Sequence, residues 1–335
     1  MNIIALRDKE KRLKYPKVKY KEYVLLDGSR KKLVQQVGNG YIIKRFDKTP
    51  IPKKPTDVVC PHFLELKWAY GCPFNCSWCY LKGTLRFLPT KTCPKVKDYK
   101  LIELHLASFF DETVSSSYPE EVLNTGEIAD SLMYENNGNP FSKFIIEIFE
   151  TQTKHKLLFL SKSNAIHNLL NIGGHKQVIT SFTLNAVPVA KRWERGAPSV
   201  IERIKAAKEL AEVGYEVRIR IDPMVPVENW KCIYRDLIDM IFSNFTPERI
   251  TLGSLRGLQT TINNTDDASW VKYLSEWSNW GRKVEHKVRY NMYSYLIIYL
   301  QENYDYKNIG LCKETKKMWE DLRMDYKKIK CNCIL

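Results

Sequence analysis

Between residues 63 and 255 the chain alternates short apolar runs with longer segments of helical periodicity. Alternating strands and helices predict a parallel sheet whose strands are joined by crossover helices. Six such strands predict an α/β fold, an open and partial barrel with its chemistry at the carboxyl ends of the strands. The strand candidates are Phe63–Trp68, Glu121–Asn124, Lys156–Leu160, Val178–Leu184, Glu216–Ile221 and Arg249–Leu255.

Six further segments have the spacing of apolar residues that is typical of helices. The clearest is Ser199–Val213, in which apolar residues form one stripe and charged residues the opposite face. Pro198 precedes this segment and Gly214 follows it, and both are usual boundary signals. The helix candidates are Pro140–Thr151, Ala165–Leu170, Ser199–Val213, Lys231–Ser243, Ala268–Gly281 and Val288–Glu302.

The first 55 residues differ in composition from the rest, with 16 Lys or Arg against 5 Asp or Glu. They contain two short strand candidates, Glu22–Leu26 and Tyr41–Arg45, with a glycine-rich turn at 38–40 between them. Three prolines in 49–56 predict a linker. We therefore predict three parts, namely a basic N-terminal appendage at 1–55, a core barrel at 56–258 and a helical C-terminal extension at 259–335.

The whole chain has a formal net charge of +15. A basic surface with interleaved tyrosines attracts a phosphate backbone. We therefore expect nucleic acid as a partner of the basic N-terminal region. The alternative explanation of the charge is a lysine-rich composition throughout the chain.

Just past the first strand candidate, Cys72, Cys76 and Cys79 have the spacing C-x3-C-x2-C. Thiolates suit iron–sulfur clusters and zinc. A run of three favours a cluster, because it can hold three irons and leave the fourth open for a small-molecule cofactor. Structural zinc usually takes four protein ligands. For zinc, the fourth ligand would come from Cys60, Cys93 or His62.

The cysteine count and the start of the chain bear on the compartment. There are nine cysteines, an odd number, and Met1–Lys14 is charged without the apolar core of a signal peptide. No apolar run approaches the roughly 20 residues that cross a bilayer. We expect a cytoplasmic protein with no membrane partner, where clustered cysteines are more often metal ligands or catalytic than disulfides.

The cysteine segment at 70–84 resembles the cluster motif of the radical S-adenosylmethionine (radical SAM) enzymes, with Trp78 as the aromatic residue before the third cysteine. Within that superfamily, Cys79-Tyr80-Leu81 is similar to the spore photoproduct lyase branch. The resemblance extends over about residues 63–255. Its further segments are Leu160–Leu170, Ser181–Ala186 and Lys191–Tyr215.

The resemblance implies a partial (β/α)6 radical SAM barrel with a [4Fe–4S] cluster on Cys72, Cys76 and Cys79. The methionine part of S-adenosylmethionine (SAM) would bind the open iron. One electron, from a reductant such as flavodoxin or ferredoxin, would then cleave SAM and release a 5′-deoxyadenosyl radical that abstracts hydrogen from the substrate.

The resemblance also implies roles at the ends of the second and third strands. Gly126 and Glu127 match the place where family members bind the methionine amino group, for which a carboxylate is the right partner. Lys162 matches a position that contacts the SAM carboxylate. Without the resemblance, the Gly-Glu pair would be an ordinary turn and the lysine a solvated surface group.

Further positions follow from the same resemblance. Thr183 and Asn185 match polar SAM contacts, although a strand-end hydrogen bond explains them equally well. Trp78 would pack near the adenine, and Tyr80 matches an active-site tyrosine that would relay hydrogen. Arg220 would meet substrate or the SAM carboxylate if its face of the fifth strand points inward. Without the resemblance, Trp78 and Tyr80 would be packing residues. If its face of the fifth strand points outward, Arg220 would belong to a surface ion network.

One position departs from the branch. The lyases carry a cysteine at the end of the second strand that returns a hydrogen atom to the product, and Asn124 or Thr125 stands there. Cys93 is the nearest other cysteine, but its position does not match. A second group, Cys312 with Cys331 and Cys333, lies near the C-terminus. An auxiliary iron–sulfur or zinc site, a cap over the barrel and buried thiols without a ligand all remain open for it.

Three functions follow from these observations. The leading hypothesis is a radical SAM enzyme of the lyase kind that acts on DNA or another nucleic acid. The second is a radical SAM enzyme that modifies a peptide or metabolite, because the hydrogen-donor cysteine is missing. The third is a nucleic-acid-binding protein without catalysis, whose cysteines hold a structural metal.

Overall fold

The computed structural model describes residues 15–45 and 51–335. The strands are β1 Val18–Val24, β2 Arg30–Val37, β3 Ile42–Arg45, β4 Val58–Val59, β5 Phe63–Leu66, β6 Ala69–Tyr70, β7 Asn75–Cys76, β8 Lys95–Val96, β9 Val122–Asn124, β10 Lys156–Ser161, β11 Val178–Leu184, β12 Glu194–Arg195, β13 Glu216–Met224, β14 Arg249–Ser254, β15 Arg256–Gly257, β16 Glu276–Ser278, β17 Gly281–Lys283, β18 Ile309–Leu311 and β19 Glu314–Thr315. The α-helices are α1 Leu81–Thr84, α2 Tyr99–Thr113, α3 Phe141–Phe149, α4 His167–Leu170, α5 Val187–Trp193, α6 Val200–Glu212, α7 Trp230–Phe242, α8 Gln259–Ile262, α9 His286–Tyr304 and α10 Lys316–Asp321.

Over the described ranges, ten strands form one sheet in the order β1-β2-β3-β5-β9-β10-β11-β13-β14-β18. The pairings from β5 to β18 are all parallel, whereas β1, β2, β3 and β5 pair antiparallel. The six predicted barrel strands are therefore confirmed, with boundaries that differ by at most three residues. β18 adds a seventh parallel strand that the sequence pattern did not predict.

Crossover helices cover the parallel strands, as the alternation predicts. α6 shows why such a segment becomes a helix: the side chain of Ser199 accepts from the backbone N–H of Glu202, and the Glu202 side chain accepts from the backbone of Ser199. The helix buries Val200, Ile204 and Leu210 against the sheet. Every residue of β11 is buried, which is expected of a parallel strand covered on both faces.

The predicted helix at Ala268–Gly281 is wrong. Val271–Tyr273 form a single 3-10 turn, and the rest of the segment enters the antiparallel pair β16 and β17. Gly281 has φ +88° and closes the turn between these strands. Pairing of β16 with β17 overrides the helical spacing of the apolar residues.

The predictions also missed α2. This helix starts at Asp98, whose side chain accepts from the Lys100 backbone N–H. It buries Ile102, Leu106 and Phe109, a spacing of four and three residues that was present in the sequence.

The described part of the N-terminal region forms a meander that continues the barrel sheet. β3 confirms the predicted strand at Tyr41–Arg45, and β1 begins four residues before the predicted Glu22–Leu26. Arg45 Nε lies 2.5 Å from Glu65 Oε2 on β5, which joins the meander to the barrel. The division into three parts stays a prediction. Residues 1–14 and 46–50 lie outside the described residues, including part of the predicted linker.

Among the described helices, none combines the length and the apolar character that spanning a bilayer requires.

Candidate active site

A cavity of ≈ 210 Å³ opens where the parallel strands end. Parallel strands bring their carboxyl ends to one edge of the sheet, so side chains distant in sequence meet there. The predicted site residues that line this cavity are Cys76, Trp78, Cys79, Tyr80, Gly126, Glu127, Lys162, Thr183 and Arg220.

The cysteine loop is held in place by its backbone. β7 pairs with β12, which sets Cys76 opposite Glu194. The backbone N–H of Ser77 donates to Trp193 O at 2.8 Å, and that of Cys79 donates to Cys76 O at 3.1 Å. Cys76 and Cys79 line the cavity and Cys72 does not. Cys76 is buried, and Cys72 and Cys79 are each partly exposed.

Gly71 allows the chain to enter this loop. Its φ is +85°, a conformation that favours glycine. A Cβ atom there would lie 2.3 Å from Cys93 O. The close approach lets the neighbouring Cys72 N–H donate to Thr92 O at 2.8 Å.

The three thiols are buried near one another. Burial raises the pKa of Cys76 to about 12, although Lys162 opposes the rise. Burial also raises the pKa of Cys72, and Asp130, Cys79 and Cys76 add to that rise. Thiolates at this position therefore call for a cation to replace the lost solvation.

One wall of the cavity is a buried ion network around Glu194. Lys162 Nζ lies 3.3 Å and Arg203 Nη1 2.8 Å from this carboxylate. Burial opposes ionisation, but the two cations hold the pKa of Glu194 below its usual value. The Lys162 backbone N–H donates to Asp130 Oδ2 at 2.8 Å, so the residue is fixed at both ends.

Another part of the cavity wall is a second ion network, formed by Arg220 and Asp222 of β13 with Arg256. Arg256 binds both oxygens of Asp222, at 2.8 and 2.9 Å, and Arg220 Nε lies 3.0 Å from Asp222 Oδ2. Burial would raise the pKa of Asp222, but the two guanidinium groups lower it. In the sequence, the alternation of Arg220 and Asp222 along β13 indicates that the two side chains share one face. No sequence pattern indicates that Arg256 joins them.

Gly126, Glu127 and Tyr80 meet at the end of β9. The Gly126 N–H donates to Asn124 Oδ1 at 2.8 Å, and a Cβ at Gly126 would lie 2.4 Å from Leu160 O. The Tyr80 hydroxyl donates to Glu127 O. Lys313 Nζ lies 3.9 Å from the Glu127 carboxylate, another contact from a distant segment.

Asn185 does not line the cavity. Its side chain is fully buried, donates to Pro223 O at 2.8 Å and accepts from the Tyr234 hydroxyl at 2.9 Å. This geometry favours the strand-end hydrogen bond over a cofactor contact. Thr183 lines the cavity, and so does Trp78, whose ring packs 5.6 Å from that of Trp193.

A second, smaller cavity of ≈ 20 Å³ shares Glu127, Arg220 and Lys313 with the first. Four cysteines from three separate segments line it: Cys60, Cys312, Cys331 and Cys333. Cys333 Sγ lies 3.8 Å from Asn124 Nδ2, and Arg220 Nη2 lies 2.6 Å from Cys312 Sγ. The predicted C-terminal cysteine group is thus packed against the candidate site.

The C-terminal tail is fixed inside the barrel by polar contacts. Arg218 Nη1 donates to Ile334 O at 2.6 Å, and Arg249 Nη1 donates to Cys331 O at 2.9 Å. Asn332 accepts from Thr251 at 2.6 Å and is fully enclosed. The tail therefore holds Cys331 and Cys333 in a defined place.

Within residues 15–45 and 51–335, no three His, Cys, Asp or Glu side chains are arranged to hold a single metal ion. The ligands of an iron–sulfur cluster do not have to converge on one ion, because each thiolate binds its own iron.

An open α/β barrel with a three-cysteine loop at the carboxyl ends of its strands is the architecture of the radical SAM proteins. The chain belongs to the spore photoproduct lyase family, whose model matches residues 63–252.

The relatives are distant. The chain is 25% identical over 176 residues to spore photoproduct lyase of Bacillus subtilis and 26% identical over 178 residues to that of Clostridium acetobutylicum. Each match covers 52% of this chain and 50% of the relative, so the chain spans about half the length of these curated relatives.

Solved structures share the fold. A spore photoproduct lyase complexed with dinucleoside spore photoproduct matches with a TM-score of 0.63 at 17% identity, over 74% of this chain and 75% of the other. A lyase mutant with bound S-adenosylmethionine and the same dinucleoside matches with a TM-score of 0.59 at 16% identity, over 77% and 79% of the two chains.

Proposed function

We propose that this chain is a radical SAM enzyme of the spore photoproduct lyase kind, acting on DNA or another nucleic acid. The observation that carries the proposal is the cavity of ≈ 210 Å³ at the carboxyl ends of the barrel strands. Cys76 and Cys79 line it together with Glu127 and Lys162, and Cys72 lies near enough to both cysteines for their charges to raise its pKa. Family membership supports an enzyme over a metal-stabilised binding protein without catalysis.

The donor set fits a [4Fe–4S] cluster on Cys72, Cys76 and Cys79. Thiolates are soft ligands that bind iron better than they bind hard cations. Three of them leave one of the four irons of the cluster without a protein ligand. Burial is the largest influence on the pKa of all three thiols and raises it, which fits a site that is completed by positive metal charge. When bound, the reduced cluster supplies the electron that cleaves SAM into methionine and a 5′-deoxyadenosyl radical.

The cavity residues would bind and orient SAM. The Glu127 carboxylate matches an ammonium, and Lys162 with Arg220 matches a carboxylate. Lys162 is held by Glu194 and Arg220 by Asp222, so both cations are positioned before the cofactor enters. Trp78 and Thr183 complete the wall on which the adenosine part would rest.

The resemblance puts Asn124 or Thr125 where the lyases have a cysteine on the second strand. Cys333 comes from the tail to this end of the strand, with its Sγ 3.8 Å from Asn124 Nδ2. We assign Cys333 as the hydrogen-atom donor: its S–H bond breaks, a C–H bond forms on the substrate radical, and a sulfur radical stays on Cys333. Tyr80 lines the cavity and its hydroxyl donates to Glu127 O, which places this residue within the proposed SAM site.

A nucleic-acid substrate is supported by the charge of +15 and by the dinucleoside in the solved relatives. The second candidate, a radical SAM enzyme for a peptide or metabolite, is favoured by Asn124 alone. SAM cleavage by the reduced, reconstituted protein should rise when a damaged oligonucleotide is added, and the gain should fall with salt. Cleavage that ignores every oligonucleotide of a panel, but responds to a peptide or metabolite, would favour the second candidate.

A further inference from the structure

The segment at 84–95, called the anchor loop below, carries the most exposed large apolar side chain of the described residues. Phe87 is 80% exposed, and Leu88 beside it is also exposed. The guanidinium carbon of Arg86 lies 4.0 Å from the centroid of the Phe87 ring. An aromatic and an arginine side by side at the surface are typical of an interface.

The anchor loop is fastened to both ends of the cysteine motif. It starts at the end of α1, where Leu85 N–H donates to Leu81 O at 2.8 Å, directly after the third cysteine. It returns to the first cysteine, because Cys72 N–H donates to Thr92 O at 2.8 Å. One hydrogen bond therefore joins this exposed loop to the backbone of Cys72.

The anchor loop is hydrogen-bonded to the one cysteine of the motif that does not line the cavity. That cysteine is Cys72, whereas Cys76 and Cys79 line the space where SAM would lie. A cavity of ≈ 210 Å³ cannot admit a protein. The anchor loop is therefore the approach to the cluster that stays free when cofactor and substrate are bound.

The stretch of sequence that contains the anchor loop is basic. Between Glu65 and Asp98 the chain contains no acidic residue and six basic ones: Lys67, Lys82, Arg86, Lys91, Lys95 and Lys97. Lys91 and Lys95 are exposed, whereas Lys82 lies 2.6 Å from Asp266. The surface thus offers exposed lysines around an apolar centre, which complements a protein that has a carboxylate rim.

We propose that the anchor loop is the docking surface for an acidic one-electron carrier protein, an inference that rests on the proposed function. The carrier's carboxylates meet Lys91 and Lys95, and Phe87 with Leu88 covers the apolar edge around its redox group. The carrier loses one electron and the cluster on Cys72 gains it; no bond forms or breaks. Encounters of this kind use small interfaces and depend on charge for their rate.

The test measures binding directly. Fluorescently labelled flavodoxin or ferredoxin is titrated with the reconstituted holoenzyme at low and at high salt, and the dissociation constant is read from anisotropy. Lys91→Glu/Lys95→Glu should weaken binding on the order of tenfold at low salt and flatten the salt dependence. Phe87→Ser should weaken binding with the salt dependence unchanged. The matched control is Lys143→Glu/Lys176→Glu, the same charge change at two exposed lysines elsewhere.

A second measurement separates docking from chemistry. SAM cleavage driven by dithionite should be the same in the wild type and in the anchor-loop variants, because this small reductant needs no docking surface. Cleavage driven by low concentrations of reduced flavodoxin should fall in the variants. If dithionite drives no cleavage in the wild type, the proposed function fails, whereas the titration still reports on docking.

Three results would overturn the docking surface. One is that neither carrier binds the wild type at low salt. Another is that the anchor-loop variants bind as the wild type does. The last is that the control pair weakens binding as much as Lys91→Glu/Lys95→Glu, because net charge alone would then account for the effect.

Discussion

Cys333 Sγ lies 3.8 Å from Asn124 Nδ2, although 209 residues separate them in the chain. In the proposed function Asn124 or Thr125 occupies the position of the lyases' cysteine, and the tail would bring a thiol to the same end of the strand. The Asn124 amide is fixed by the Gly126 N–H, and the tail by Arg218 and Arg249. The contact is therefore part of the fold and not an accident of a loose terminus.

Cys333→Ala should remove the returned hydrogen atom. Thiol hydrogens exchange with solvent, so a wild-type turnover of dinucleoside spore photoproduct in D₂O should place one deuterium in the product. The variant should lose that label and release altered products, while its SAM cleavage continues. Cys232→Ala, at an exposed cysteine, is the control. Equal labelling in the variant and the wild type would remove Cys333 from this role.

Lys162→Ala should weaken SAM binding without loss of the cluster. A hydrogen bond to a charged group contributes about 1.5–3 kcal/mol, so affinity should fall roughly tenfold or more. Glu194 keeps Arg203 as a partner, so the fold should persist. Equilibrium dialysis with labelled SAM gives the affinity, and visible absorbance reports the cluster. Lys205→Ala on the exposed face of α6 serves as control, and an unchanged affinity for Lys162→Ala would contradict the assignment.

Asp222→Asn should change how stability depends on pH. The pKa of Asp222 is lowered in the folded state, because Arg256 and Arg220 outweigh the effect of burial. The contribution of ionised Asp222 to the free energy of unfolding is therefore fully present at a pH above the ordinary aspartate pKa of about 3.9. It is lost progressively as the pH falls below that value. The variant should lose about 3 kcal/mol of unfolding free energy at pH 7, the cost of breaking a buried ion pair.

Urea unfolding of the apoprotein between pH 3 and pH 7 measures this effect. The curves of the wild type and Asp222→Asn should converge toward the acid end. Asp236→Asn, at an exposed ion pair, should run parallel to the wild type. Parallel curves for Asp222→Asn as well would show that its ionisation does not couple to folding.

Much of the fold could be predicted from local patterns in the sequence. The six barrel strands and α6 follow from apolar spacing and boundary residues, and the cysteine loop follows from its own spacing. The failures have nonlocal causes. Ala268–Gly281 has helical spacing, but β16 within it pairs with β17, which follows it, and the two form a hairpin. β18 is three residues long and is a strand because β14 lies beside it.

The candidate site likewise contains residues that could be predicted from the sequence and residues that could not. Residues at strand ends, such as Glu127 and Lys162, were predictable because the barrel gathers them at one edge. Asn185 has the right position, but Tyr234 and Pro223, from elsewhere in the chain, bind its side chain. Cys60 and Cys312 line the second cavity together with Cys331 and Cys333 of the tail, and no spacing in the sequence predicts this arrangement.

The most direct test is the iron content of the protein after anaerobic reconstitution with iron and sulfide, followed by reduction with SAM present. The account predicts a brown protein with about four irons per chain at this site that forms 5′-deoxyadenosine. Cys76→Ala should lose both properties, and Cys93→Ala, at an exposed cysteine, should keep them. A colourless wild-type protein that holds one zinc and leaves SAM intact would contradict it.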